Sequence, residues 1–187
     1  YFEDLEVLKD PMLAKALFEI DRRQRLFKID KDFHEACRLI HNKNELEDFG
    51  YTLDLLGEAM ILQWYSDAWE EKDNHRFLYI AEYFKLPIVV RRMNQIKSTE
   101  NIHILQPTKQ KKDVTSENFK KWTAHENVLK FEIRTDSGLS VGLFANHRVQ
   151  RNWILKNSKN KNVLNIFANT CSLSLAALLG GAQQVTS

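Results

Sequence analysis

The residues best suited to do chemistry gather in the last third of this sequence. A mainly apolar run at 163–168 leads into a short polar turn, Asn169, Thr170, Cys171 and Ser172, and then into an apolar helix at 173–179 that Gly180 and Gly181 stop. A turn of this kind offers backbone amides to an anion at a helix N-terminus, where the helix dipole favours negative charge. Upstream, Arg148 and Arg151 stand near the start of another helix, and arginine can grip a carboxylate through two hydrogen bonds. His147 lies beside them, but no carboxylate that would make it a general base can be identified. Cys171 reads as a small, partly buried residue of the turn, and Cys37 as a small buried apolar group. The two cysteines form no CxxC pair, and His34, His41, His75, His103 and His125 show no metal-ligand spacing, so neither a disulfide framework nor a metal site is expected. Trp64, Tyr65 and Trp69 are candidates for base stacking, or for packing at a strand end.

These groups need elements to carry them. Asp10 and Pro11 read as an N-cap and first helical residue, and Met12, Leu13, Ala16, Leu17 and Ile20 recur at helical spacing. The basic run Arg22, Arg23 and Arg25 suits the C-terminus of that helix or contact with phosphate. A second short helix is expected to carry Phe33 and Cys37. Extended segments follow at 38–41 and 51–54, with a polar loop at 42–50 between them, then a turn near Gly57 and a strand at 59–65. A helix capped by Asp73 or Asn74 places Phe77, Ile80, Ala81 and Phe84 on one face, and Pro87 blocks it before a strand at 88–92. Residues 95–118 read as an exposed connection bearing Lys109, Lys111 and Lys112. Leu129, Phe131 and Ile133 alternate, and Asp136, Ser137 and Gly138 read as the turn of a hairpin that returns at 139–144. Asn146 is expected to cap a helix that buries Val149, Trp153 and Ile154. The run 163–168 is the kind buried on both faces of a parallel sheet, and 183–187 starts another strand. Strand, turn, helix, strand is the opening βαβ unit of a nucleotide-binding sheet.

With 187 residues, 43% of them hydrophobic, the chain is too apolar for disorder and has no run of the roughly 20 apolar residues that a membrane helix needs. Its net charge of +2 is lopsided: residues 137–187 carry five basic residues and no acid, and the remainder carries −3. The asymmetry suits a surface that meets nucleic acid or a charged cofactor, or one whose balancing acids lie on a further segment. Cysteine usage fits a reducing, cytoplasmic setting, with an organellar origin left open by the start at Tyr1.

Two segments sharpen this reading. The stretch Val141, Gly142, Leu143, Phe144, Ala145, Asn146, His147, Arg148, Val149, Gln150, Arg151, with Val163, Leu164, Asn165, Ile166, Phe167, Ala168, Asn169, Thr170, Cys171 after it, resembles class I S-adenosylmethionine-dependent RNA methyltransferases. The group resembled modifies large-subunit ribosomal RNA, typically at cytosine C5, and carries G-L-F-L-D-Q-R-x-N-R, then V-L-N-L-F-x-Y-T-G, then a helix and G-G-A. Gly180, Gly181 and Ala182 stand in that last place. A looser likeness extends back to about residue 11.

The resemblance implies an α/β fold: an N-terminal helical segment at 1–37, a small α+β domain at 38–135, and from 136 the first βαβ unit of an incomplete Rossmann-like domain. It implies S-adenosylmethionine as cofactor, bound by Phe167, Asn169, Thr170 and Cys171 with support from Phe144, Asn146, Arg148 and Arg151. Ribosomal RNA is the implied partner, with a homodimer as a further arrangement and neither membrane nor metal. The catalytic cysteine nucleophile of the family lies beyond Ser187, so no catalytic residue is expected within the chain. The alternative is a non-catalytic relative that binds RNA or assists ribosome assembly. Asn169 replaces the family's Tyr, Cys171 its motif Gly, and Asn146 with His147 its Asp-Gln. A non-glycine residue held in the left-handed region at 171 is expected to cost about 1–2 kcal/mol.

Overall fold

The computed structural model describes residues 7, 9–27, 35–41, 50–95, 102–108, 119–136, 138 and 140–187. Helix α1 spans Pro11–Phe27 and buries Leu13, Ala16, Leu17 and Ile20. Its start is the one the sequence reads: the Asp10 carboxylate accepts the Met12 and Leu13 amides at 3.0 and 3.2 Å. The same carboxylate is gripped by Arg76 of helix α2, Glu71–Phe84, so one acidic residue both caps the first helix and ties it to the second.

Five strands form the central sheet in the order β1-β2-β3-β4-β5, with ranges Cys37–His41, Tyr51–Leu56, Ala59–Trp64, Ile88–Arg92 and Ile102–Leu105. All pairings are antiparallel except β3 with β4, which α2 connects as a crossover. Both faces of the sheet are covered. On one, α1 and α2 pack over Leu39, Leu53, Leu62 and Val90. On the other, Leu56, Ile61 and Val89 meet a hairpin of β6, Lys121–Glu126, and β7, Leu129–Arg134. The Trp122 indole N–H donates to the Leu56 carbonyl at 2.6 Å and locks hairpin to sheet. This second core also takes in Val141, Leu143, Ala145 and Ala176, so the last third of the chain packs on the hairpin and sheet.

After the hairpin come a 3-10 turn at Ala145–His147, helix α3 at Arg148–Asn157, strand β8 at Asn162–Leu164, helix α4 at Ser172–Leu179 and strand β9 at Gln184–Thr186. Strands β8 and β9 pair in parallel, completing a βαβ unit. Gly180 ends α4 against α3, where a Cβ would stand 2.4 Å from the Leu155 carbonyl oxygen. The fold class is α/β.

Several expectations are corrected. Cys37 lies in β1, not in a helix; Phe33 lies outside the described residues, as do Lys109, Lys111 and Lys112. Helix α2 is capped by Glu70, whose side chain forms a capping box with Asp73 at the third helical position. Strand β5 lies inside the stretch read as connection. The hairpin partner of β7 is the preceding strand, joined at Asn127, whose φ of 51° supplies the left-handed turn residue, and residues 140–144 are irregular. Helix α3 buries Arg148 and Arg151 while Val149 and Trp153 stand 61% and 64% exposed. Strand β8 is three residues long, and Leu164, Ile166 and Phe167 are exposed rather than doubly buried.

Candidate functional site

The corner between β8 and α4 is built by local hydrogen bonds. The Cys171 amide donates to the Ala168 carbonyl at 2.7 Å, and the Leu175 amide donates back to the Cys171 carbonyl at 2.9 Å. Asn169 and Cys171 both adopt left-handed backbone, with φ of 46° and 58°. Cys171 thus takes the conformation that favours glycine, as its position in the motif requires. The side chains of Asn169, Thr170 and Cys171 are exposed, which corrects the reading of Cys171 as partly buried.

The corner is open. Asn169 and Thr170 border a cavity of about 400 Å³ whose far wall is Lys130, Glu132 and Arg134 of β7 together with Gly142. Thr170 spans the rim, its hydroxyl donating to the Gly142 carbonyl at 2.7 Å. Among the described residues the amides of Ser172 and Leu173, in the first turn of α4, find no acceptor within the protein. Open N–H groups at a positive helix end are a donor set that suits the carboxylate of an amino-acid ligand. Behind them, Asn165 donates to Ser174 at 2.8 Å, and the Ser174 and Ser187 hydroxyls lie 2.6 Å apart, tying together α4 and the residues that follow β8 and β9.

Arg148 and Arg151 are placed differently from the other candidates. The Arg151 guanidinium is fully buried, bonded to both oxygens of an equally buried Glu126 at 2.8 and 2.5 Å, and it donates to the Phe144 carbonyl at 2.8 Å. Arg148 pairs with Glu35 and donates to the Ala36 carbonyl at 2.7 Å. The carboxylates these arginines hold belong to the protein. Their effect is to fasten the 144–148 segment to the hairpin end and to the residues before β1. Phe144 is 41% exposed, with its ring 5.5 Å from that of His147. Burial, then the charges of Arg151 and Arg38, push the His147 imidazole below its ordinary range, so it is neutral at neutral pH. Asn146 is exposed and, with Arg148, faces a second cavity beside α1 and β1.

Sequence reasoning missed Glu35 and Glu126. Glu126 occupies the buried phase of β6, two residues on from Ala124 and four from Trp122, and a carboxylate in that phase demands a buried cation. It also left Gly142 without a structural reason: at φ 101° a Cβ there would stand 2.5 Å from the Glu132 carbonyl oxygen.

A family profile for S-adenosylmethionine-dependent methyltransferases matches residues 93–187, which include both the corner and the arginine pair. The chain belongs to that family. The family's cofactor is S-adenosylmethionine, and the donor set at the corner fits its methionyl end. Among curated relatives, the ribosomal RNA large subunit methyltransferases K/L of Pseudoalteromonas atlantica and Psychrobacter arcticus are each 30% identical, over 166 and 177 residues and 87% of this chain. The chain spans only 23% and 22% of those proteins. In fold, the chain resembles a solved methyltransferase complexed with S-adenosylhomocysteine, at a TM-score of 0.66 and 23% identity over 94% of this chain and 43% of that one. It also resembles a SAM-dependent methyltransferase from Streptococcus mutans, at 0.67 and 21% over 94% and 44%. No helix among the described residues is long and apolar enough to cross a membrane.

Proposed function

We propose that this chain forms the cofactor-binding start of an RNA methyltransferase that acts on large-subunit ribosomal RNA, with cytosine C5 as the target by resemblance. The observation that carries the reading is the open corner at 168–173, whose first-turn amides lack acceptors and whose side chains border a cavity. When bound, S-adenosylmethionine supplies an electrophilic methyl group. The chain's own residues bind and orient. The amides of Ser172 and Leu173 receive the carboxylate, Asn169 and Thr170 hold the cavity rim, and Phe167, 91% exposed beside the turn, offers an apolar face to the nucleoside. Arg148 and Arg151 act from behind, fixing Phe144 and Asn146 through the backbone.

RNA as substrate is supported by the relatives, which are ribosomal RNA methyltransferases by name, and by the basic balance of residues 137–187. A cytoplasmic setting follows from the same reading. Residues 136–187 read as the opening of a Rossmann-like domain completed by further strands, and the exposed Leu164, Ile166 and Phe167 are the apolar surface such strands would cover. The second reading, a non-catalytic RNA-binding or ribosome-assembly relative, is favoured by Cys171, whose side chain occupies the turn where the family motif has none.

Calorimetry with S-adenosylmethionine and S-adenosylhomocysteine tests the proposal. Saturable binding of either supports it, and no heat at millimolar ligand removes the cofactor-binding reading and leaves the non-catalytic one.

A further inference from the structure

The second cavity has a volume of about 300 Å³. It is lined by Arg23 of α1, Arg38 and His41 of β1, and Asn146, Arg148 and Val149. Three arginines therefore line one concave surface, and among the described residues no carboxylate lines it. Each of these arginines already has a partner within the protein. Arg38 is gripped by Asp54 at 2.7 and 2.9 Å and Arg148 by Glu35, while Arg23 donates to the Leu39 carbonyl at 2.7 Å. The positive heads are fixed in place before any ligand arrives, which cuts the ordering cost of binding an anion.

The surface continues outward along α3. Val149 is the outer lip of the cavity, Trp153 follows one helical turn later, and Lys156 lies three residues beyond on the same face. Both Val149 and Trp153 are more than 60% exposed. An indole standing in solvent beside a basic cleft is a platform for a flat ring, and one turn of helix separates the two by about 5.4 Å. A ligand that uses both is an extended polyanion carrying aromatic rings. A free phosphate would use the cleft alone.

We infer that the Arg23/Arg38/Arg148 cleft holds a backbone phosphate of single-stranded RNA while Trp153 stacks on a neighbouring base. This inference rests on the reading of the chain as acting on RNA and says where the strand runs. Arginine clusters neutralise phosphates in a salt-dependent way, and base stacking on an aromatic side chain is tolerant of sequence. The strand then passes the 144–148 segment, and Gly142, just before that segment, is bonded to Thr170 of the corner.

The test uses a fluorescein-labelled 12-nucleotide single-stranded RNA and anisotropy, comparing the unmodified chain with Trp153→Ala and Val149→Glu. Both positions are exposed, so the thermal midpoint of each variant reports an intact fold. The expected result is a loss of about five-fold or more in affinity for Trp153→Ala. Val149→Glu, which puts an acid at the mouth of the cleft, is expected to weaken binding and to flatten its salt dependence. Equal affinity of both folded variants and the unmodified chain overturns this site and leaves the RNA reading standing. No binding of the RNA by the unmodified chain at tens of micromolar overturns the RNA reading and the site with it.

Discussion

Arg151 and Glu126 are joined by two hydrogen bonds, at 2.8 and 2.5 Å, with both side chains wholly removed from solvent. A pair in that state is a weak source of net stability but a severe liability when halved, because the survivor is a buried charge with no counterion. Glu126→Gln keeps the shape and removes the charge. It is expected to destabilise the chain by about 3–5 kcal/mol, read as a fall in the urea midpoint. The double variant Glu126→Gln with Arg151→Met is expected to lose less than the sum of the two single changes, and strict additivity would show that the pair is not coupled. Arg151→Lys is no rescue, since an ammonium reproduces neither the two-pronged grip nor the bond to the Phe144 carbonyl.

Gly142 offers a second measurement. Its φ of 101° is strained for any side chain, and a Cβ would press on the Glu132 carbonyl oxygen. Gly142→Ala is expected to cost more than the roughly 0.4–1 kcal/mol that a tolerated Gly→Ala change gains. Because the Gly142 carbonyl also receives the Thr170 hydroxyl, cofactor affinity should fall with stability. A variant as stable as the parent would show that the backbone there relaxes freely.

At Cys171 the direction reverses. Replacing it with Gly releases left-handed strain of about 1–2 kcal/mol, less the entropy that glycine adds to the unfolded chain, for a net gain near 1 kcal/mol or below. The same change is expected to tighten S-adenosylmethionine binding, and unchanged or weaker affinity counts against the steric account. The thiols also differ in reach. Burial pushes the Cys37 thiol up to about 12, so the native chain should react with one equivalent of a thiol reagent, at Cys171, and with a second only after unfolding.

The junction of α1 with α2 should respond to acid. Partial burial opposes ionisation of Asp10, but the hydrogen bonds from Arg76 and from the Leu13 and Met12 amides outweigh it and hold the carboxyl below the usual range. A depressed folded pKa means that the unfolded chain takes up the proton first as pH falls. The stabilisation is therefore complete above the unfolded value, from about pH 5 upward, and is lost as pH drops through the folded value. Denaturation of the parent and of Asp10→Asn should show a constant gap from pH 5 to 7 that closes below pH 4. A gap that widens in acid would contradict the assignment.

Sequence patterns revealed the fold where polarity and geometry agree. Asp10 with Pro11 marks α1, and Pro87 before three branched residues marks β4 at 88–92, because each signal acts through its own backbone. The hairpin was hidden by a louder turn: Asp136-Ser137-Gly138 outweighs Asn127-Val128 by composition, although the left-handed Asn127 makes the tighter connection. Helix α3 misleads for a related reason. Its buried positions are Arg148 and Arg151, so hydrophobicity points the wrong way, and only the distant Glu35 and Glu126 make that burial tolerable. The site is legible to the same degree. The corner at 169–172 declares itself through strand-turn-helix order, whereas the arginine cleft joins residues from α1, β1 and the start of α3 that no local spacing connects.

The bond from the Thr170 hydroxyl to the Gly142 carbonyl ties the turn to the irregular 140–144 segment as well as to its own helix. Breathing of that loop is then damped by an irregular segment laid down well before it in the chain, and a ligand that settles at the loop shares its cavity with Lys130 and Arg134. A reporter dye on β6, the hairpin strand that does not line the cavity, would register occupancy without touching the pocket.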